Sequence, residues 1–239
     1  MRHRPRASES LSAVDARPDV EMRERREWLN RGVNIALAIT LLLLLAPILI
    51  VVAIAIKATS TGPILYRQTR IGLDRRRRLS TVGSIYDRRI RDLGGDAFVI
   101  YKFRSMYIDA EQGTGAVWAR QGDPRVTPIG RLLRKTRLDE VPQLLNVIRG
   151  DMNIVGPRPE RPSIVDRLRT NINEYALRHR ARPGITGWAQ VNQCYDSCLD
   201  DVRTKVRYDL EYLSRQGMVE DARIMLRTIP VVLFRRGGW

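Results

Sequence analysis

The sequence predicts an α+β protein: one N-terminal membrane helix, then a compact, mainly helical domain with a small β-sheet. Three features carry that expectation. Val33 to Ile56 runs for 24 residues without a charge and includes Leu41 to Leu45. As a straight helix this stretch would be about 36 Å long, enough for a hydrocarbon core of roughly 30 Å. Beyond it, apolar residues recur at helical spacing, most clearly Val141, Leu144, Leu145 and Ile148 at i, i+3, i+4 and i+7. Finally, Ala97 to Tyr101 is a short apolar run behind Gly94-Gly95, which suits a buried strand.

The elements follow in order. Residues 1–29 read as an arm with mixed charges, helical at most from Glu21 to Leu29. Residues 30–57 form the membrane element. The run is too long for a cleaved signal peptide, and its small-residue pattern, Ala53-Ile54-Ala55, lies inside it rather than after it. Pro47 falls near its middle, where proline removes a backbone hydrogen bond and bends or breaks a helix. Both flanks are basic: Arg17, Arg23, Arg25, Arg26 and Arg31 before, Lys57, Arg67, Arg70 and Arg75 to Arg78 after. A single span normally carries Lys and Arg on one side. The two-sided bias predicts a re-entrant helix–break–helix at Pro47 that enters and leaves by the cytoplasmic face. Residues 58–239 are then a cytosolic domain.

Within that domain, Ile64–Tyr66 reads as a short strand, and residues 72–96 as an exposed loop or insertion whose arginines face solvent or lipid headgroups. Thr127-Pro128 starts a helix, with a capping oxygen and proline at the first position, and Ile129, Leu132 and Leu133 give it one apolar face. A second helix starts near Asp139, with Pro142 tolerable in its first turn and Gly150 as its stop. Ser163 to His179 reads as an amphipathic helix, 182–188 as loop, and 199–215 and 219–234 as two closing helices.

Composition narrows the partners. The 239 residues include 42 Lys+Arg against 26 Asp+Glu, a formal charge of +16, which favours phosphates, nucleic acid or an anionic membrane. A hydrophobic share of 44% excludes a wholly disordered chain. The two cysteines, Cys194 and Cys198, build no disulfide framework and read as reduced thiols. With His3 and His179 they make no convincing zinc site, and two histidines leave little room for histidine acid–base chemistry. Phosphate-loop, dinucleotide and nucleophile-elbow motifs are absent.

The chemistry concentrates at Asp139-Glu140. Two acids at a helix start are ordinarily caps that complement the helix dipole. Here Arg134, Lys135 and Arg137 precede them while Arg149 and Arg158 follow. A helix start ringed by guanidinium groups suits phosphate. A carboxylate there can attack phosphorus or hold a divalent ion that bridges phosphates.

Six strings then occur in order: Lys57 to Pro63 (KATSTGP), Gln68 to Gly72 (QTRIG), Lys102 to Met106 (KFRSM), Leu138 to Val147 (LDEVPQLLNV), Val155 to Glu160 (VGPRPE) and Pro183 to Asn192 (PGITGWAQVN). Together they resemble the bacterial sugar transferase family, the monotopic polyprenyl-phosphate phosphoglycosyl transferases, from about Asn30 to Leu233. The resemblance implies transfer of a sugar 1-phosphate from a nucleotide diphosphosugar, usually a UDP-sugar, to undecaprenyl phosphate, with release of UMP. It implies Asp139 as nucleophile and Mg²⁺ ligand, Glu140 as its catalytic partner, and Lys102, Arg134 and Arg158 as phosphate ligands. Arg104, in the same string as Lys102, and Arg137 join that set. Implied partners are the nucleotide sugar, undecaprenyl phosphate and membrane lipids, without nucleic acid and with a homodimer as an option. The implied location is the bacterial inner membrane, with the catalytic domain on its cytoplasmic face. Two departures stand out: Ala46-Pro47 replaces the family's Ser-Pro break, and the 74–95 insertion is long. Tyr208 to Tyr212 (YDLEY) resembles a family helix with an acid facing the site, and fits a solvent-facing carboxylate equally well. The competing class is a non-enzymatic membrane-anchored protein that binds nucleic acid or anionic lipid.

Overall fold

The computed structural model describes residues 23, 25–75, 93–108, 110, 122–193 and 198–233. The arm before Arg23, the Arg76-Arg77-Arg78 portion of the arginine run, most of the 74–95 insertion and Cys194 lie outside the described residues. The architecture is mostly helical with two small sheets, as expected for α+β, and it begins with one long apolar helix, α1 (Glu27–Thr59), of 33 residues.

α1 does not itself display the expected break at Pro47. It stays helical through Pro47 as one continuous element. A proline removes a single N–H and crowds one carbonyl. Such a defect can be absorbed as a bend within a continuous helix.

The two ends of α1 dock on the rest of the fold, while its middle does not. Asn30, Asn34 and Ala38 are buried near the start, and Val52 and Ile56 near the end. Between them Leu43 and Leu44 are each 70% exposed. The Asn34 side-chain carbonyl accepts from the Ile154 backbone N–H at 2.6 Å. Arg31 donates to the carbonyls of Val147 and Ile148 in the last turn of the helix α3 (Leu144–Arg149), where carbonyls lack i+4 donors within the helix; Val147 also accepts from the capping Gly150 N–H.

β1 (Leu65–Ile71) and β2 (Ala97–Phe103) pair antiparallel, from Leu65 opposite Phe103 to Ile71 opposite Ala97. β1 is longer than the expected 64–66 because its polar segment Tyr66 to Arg70 lacks a hydrophobic signature; pairing with β2 recruits it into the ladder. The free edge of β2 is satisfied by Asn146 of α3. Its side chain accepts from Tyr101 N–H at 3.1 Å and donates to the Val99 carbonyl at 2.7 Å.

α2 (Pro128–Thr136) begins as expected: Thr127 Oγ1 accepts from Gly130 N–H at 3.0 Å, with Pro128 at the first position. Leu133 is buried there, but Leu132, expected on the same face, is 55% exposed. The predicted second helix starts later than Asp139. Residues Leu138–Gln143 form a 3₁₀ turn, and α3 begins only at Leu144.

The 182–188 segment contains a short strand rather than only loop. β3 (Asn153–Val155) and β4 (Gly184–Thr186) pair in parallel. A side chain at Gly184 would lie 2.1 Å from the Gly156 nitrogen, so glycine permits this approach. The expected 163–179 helix divides at Ile172, where the backbone is extended, into α4 (Pro162–Asn171) and a 3₁₀ stretch, Asn173–Arg180. α5 (Trp188–Asn192), α6 (Leu199–Arg215) and α7 (Met218–Leu233) complete the order. The last two match the expected closing helices to within a residue.

Candidate active site

The site is assembled from three stretches. α2 carries Arg134 toward it, because Gly130 lets the helix lie against the Ser105 backbone: a Cβ there would meet the Ser105 carbonyl oxygen at 2.0 Å. Arg134 Nε then donates to Ser105 Oγ at 3.0 Å. Arg137 ends α2 in the left-handed region at φ 60°, the one non-glycine residue with positive φ among the described residues. Such a conformation is uncommon outside glycine, asparagine and aspartate. It turns the chain from α2 straight into the 3₁₀ segment whose first turn holds Asp139 and Glu140.

Both acids are buried, at 7% and 8% exposure, yet their surroundings differ. Glu140 is held from two sides. Lys102 Nζ, from β2, lies 3.0 Å from Oε1. Arg158, from the loop after β3, donates Nη1–H to Oε2 at 3.1 Å and Nη2–H to Oε1. Burial works against the Glu140 charge, but Arg158 and Lys102 outweigh it and hold its carboxyl well below the usual range. Asp139 has no side-chain hydrogen bond or ion pair among the described residues. Burial, then the neighbouring Glu140 charge, push its carboxyl up to about 6, against the opposing pull of Lys102, Arg134 and Arg137. At neutral pH it is therefore mostly ionised, uncommitted, and surrounded by positive charge. A clamped carboxylate beside a free one suits two roles: Glu140 fixes the cations, and Asp139 is left to react or to bind.

A second buried layer supports the first. Glu160 lies 2.7 Å from Lys205 Nζ and 3.5 Å from Arg70 Nη1. Burial is again overcome, by Lys205 and Arg70, and the Glu160 carboxyl falls to about 2. Arg178 pairs with Asp209 through Nε and Nη2, at 2.8 and 2.7 Å, and its Nη2 also donates to the backbone carbonyl of Arg158 at 2.8 Å. Sequence reasoning gave Glu160, Lys205 and Arg178 no role, placed Arg70 only in the basic flank of the membrane helix, and left Asp209 within a string offered as site-facing or solvent-facing. Arg70 and Glu160 did stand inside two of the six strings, which was the available signal. Asp209 is 1% exposed, so the solvent-facing alternative does not hold for that acid of the Tyr208 to Tyr212 string, whereas Glu211 is half-buried and pairs with Arg215. His179 is buried too, and burial followed by the Arg178 charge lowers its imidazole to about 3, leaving it neutral.

The structure thus brings Lys102, Arg134, Arg137 and Arg158 around Asp139 and Glu140. Arg104 has a different task here. Its guanidinium donates to Ser60 O at 2.8 Å, to Ser60 Oγ at 2.7 Å and to Thr61 O, tying down the chain at the C-terminus of α1. A phosphate would have to compete with all three bonds.

The sequence model of the family described as bacterial sugar transferase matches residues 25–235, which takes in α1, the dyad and the supporting layer. The chain belongs to the bacterial sugar transferase family. Among curated relatives, it is 38% identical over 206 residues to a UDP-N-acetylgalactosamine-undecaprenyl-phosphate N-acetylgalactosaminephosphotransferase of Aeromonas hydrophila, covering 86% of this chain and 44% of that protein. It is 41% identical over 180 residues to a UDP-glucose:undecaprenyl-phosphate glucose-1-phosphate transferase of Caulobacter vibrioides, covering 74% and 60%. The Escherichia coli protein of the same name is 37% identical over 203 residues, covering 84% and 39%. The chain therefore spans less than two thirds of the length of each of these relatives.

The donor set also bears on magnesium. Among the described residues no three His, Cys, Asp or Glu side chains converge into a cage. Mg²⁺ commonly takes one or two carboxylates and completes its shell with substrate phosphates and water. Asp139, the carboxylate without a protein partner, fits that mode, whereas both oxygens of Glu140 are engaged.

Proposed function

We propose that this member of the family transfers a sugar 1-phosphate from a UDP-sugar to undecaprenyl phosphate and releases UMP, as the first membrane step of a surface-glycan or glycoconjugate pathway. The observation that carries the proposal is the contrast within the dyad: an unbonded, ionised Asp139 beside a Glu140 locked to Lys102 and Arg158. In the first half, an Asp139 Oδ attacks the β-phosphorus of the donor. The bond from that phosphorus to the bridging oxygen breaks, and UMP departs with the oxygen, leaving the phosphosugar on Asp139. In the second half, a phosphate oxygen of undecaprenyl phosphate attacks the same phosphorus, the Asp139–phosphorus bond breaks, and the carboxylate is regenerated. Carboxylates are ionised at neutral pH and need no base for this role. Arg134 and Arg137, whose charges already act on Asp139, would neutralise charge on the non-bridging oxygens. Mg²⁺ held by Asp139 and the diphosphate would add the same kind of charge stabilisation.

The membrane topology proposed with this function is re-entrant, with α1 bending at Pro47 and the catalytic domain on the cytoplasmic face. Its support is geometric. The buried residues of α1 are Asn30, Asn34 and Ala38 at one end and Val52 and Ile56 at the other, and the stretch without a buried residue is 39–51, only 13 residues. At 1.5 Å per residue that is about 20 Å, short of a hydrocarbon core of roughly 30 Å. Trp28→Cys and Thr59→Cys, in a chain whose own cysteines are replaced, are expected to resist an impermeant maleimide in spheroplasts and to react in inverted vesicles. Labelling of either from outside would overturn the topology.

The function itself is tested with the full chain in lipid nanodiscs containing undecaprenyl phosphate and Mg²⁺, offered a panel of UDP-sugars. UMP is the expected nucleotide product with at least one sugar. Release of UDP instead, or no turnover with any sugar, would sink the proposal.

A further inference from the structure

The proposed reaction takes one substrate from water and the other from the membrane, so the dyad has to stand at a set height relative to the lipid. Four consecutive residues link the two. Lys102 Nζ reaches Glu140 Oε1 at 3.0 Å. Phe103 packs in one apolar cluster with Val52 and Ile56 of α1 and Leu133 of α2. The Arg104 guanidinium takes the end of α1, and Ser105 Oγ accepts from Arg134 Nε at 3.0 Å. One short segment thus touches the dyad, the membrane helix, the exit of that helix and a cation of the site.

Arg104 is the unusual member of the four. It is 5% exposed, and no carboxylate pairs with it among the described residues. A buried charge is costly unless its surroundings compensate it. Here every side-chain hydrogen bond of Arg104 goes to the end of α1: to Ser60 O at 2.8 Å, to Ser60 Oγ at 2.7 Å and to Thr61 O. These groups follow the last turn of a 33-residue helix, whose negative dipole end favours a cation. The Arg104 backbone N–H also donates to the Ile64 carbonyl at 2.9 Å. Between these anchors Gly62 turns at φ 110°, where a side chain would run into the Arg104 guanidinium. Withdrawal of the end of α1 would strand a buried guanidinium, so the helix exit and the end of β2 are held as one body.

We propose that Arg104 is a positioning residue that sets the height of the dyad relative to the bilayer, by locking the exit of the membrane helix to the segment that carries Lys102 and Ser105. This inference rests on the proposed function, since it needs a soluble donor and a lipid acceptor to meet at Asp139. The two half-reactions then depend on Arg104 differently. A sugar nucleotide arrives from water whatever the height of the dyad. An acceptor phosphate confined to the headgroup layer meets Asp139 at one height only.

Arg104→Gln separates the two. In nanodiscs the full-length variant should keep its acceptor-independent burst of UMP within about twofold of wild type, while kcat with undecaprenyl phosphate falls at least tenfold. In detergent micelles, where the acceptor is not held at one height, the fall should shrink to about threefold or less. A burst that falls as far as the nanodisc kcat would make Arg104 a phosphate ligand and overturn the proposal. Equal losses in nanodiscs and micelles, or no loss in either, would overturn it too. Energy transfer reads the height directly, from a dye on Leu132→Cys, an exposed position of α2, to dyes on lipid headgroups, in a chain whose own cysteines are replaced. The transfer efficiency should shift when Arg104→Gln is added, and an unchanged efficiency counts against the proposal with equal force. If Arg104→Gln does not fold, Ser60→Ala decides, because it removes one bond and leaves the guanidinium on its carbonyls. At least a threefold loss of nanodisc kcat with an intact burst upholds the proposal, and an unchanged kcat overturns it. Absence of any UMP burst from the wild type would instead defeat the proposed function, and the energy-transfer result would still stand or fall separately.

Discussion

Asp139→Asn is expected to reduce UMP release by at least about a thousandfold, because removal of a covalent nucleophile leaves only binding and electrostatic contributions to catalysis. The fold should not suffer. Asp139 makes no side-chain bond that asparagine would lose, and burial together with the adjacent Glu140 charge already disfavours its ionised form. A neutral isostere there should leave the thermal midpoint unchanged or slightly raised. Glu140→Gln makes the opposite comparison. It leaves Lys102 and Arg158 facing an amide in place of a carboxylate, so it should destabilise the protein as well as impair it, by about 3 kcal/mol or more for a buried ion pair broken on one side. Intact-mass measurement after mixing the wild type with a UDP-sugar, without acceptor, should show one added phosphosugar, absent from Asp139→Asn. A phosphosugar adduct persisting on Asp139→Asn would reassign the nucleophile.

The parts of this molecule that the sequence announces are those whose cause is local. The apolar segment shows itself by composition, because 24 uncharged residues have few other uses. The start of α2 shows itself because capping oxygen and proline act within one turn. Asp139 and Glu140 were visible through the arginines beside them, and the six strings extended that signal to Lys102 and Arg158. What was hidden depends on partners far away in sequence. β1 is held by a strand some thirty residues later, and its polar residues carry no period that reveals it. The capping task of Arg104 depends on how α1 ends, which its own neighbours do not encode. The separation of the two carboxylates into a clamped and a free one needs Lys102 and Arg158 to converge on Glu140 alone, across 38 and 18 residues. Spacing can place charges near a dyad, but only packing decides which oxygen they reach.

The same reasoning makes the buried Arg178–Asp209 pair the second large effect. Both side chains are almost completely excluded from solvent, at 1% and 2% exposure. Asp209→Ala leaves a guanidinium buried without its counter-ion, which costs about 3–5 kcal/mol, visible as a clear drop in thermal midpoint. Such a loss alone would say nothing about function, since any buried cation so treated destabilises its host. The informative variant replaces both partners, Arg178→Met with Asp209→Leu. Well-packed apolar substitutes for a buried ion pair are often neutral or stabilising, so much of the lost stability should return. Activity should not return with it. Arg178 also donates to the Arg158 backbone carbonyl, and Met cannot, so the loop that aims Arg158 at Glu140 loses one of its fixed points. The double variant should therefore fold nearly as well as the wild type yet show kcat lowered at least tenfold, with a smaller change in KM for the UDP-sugar. Full recovery of kcat alongside stability would reduce the pair to a packing element. Continued loss of kcat at restored stability makes Arg178 a positioning residue, acting on the dyad through Arg158.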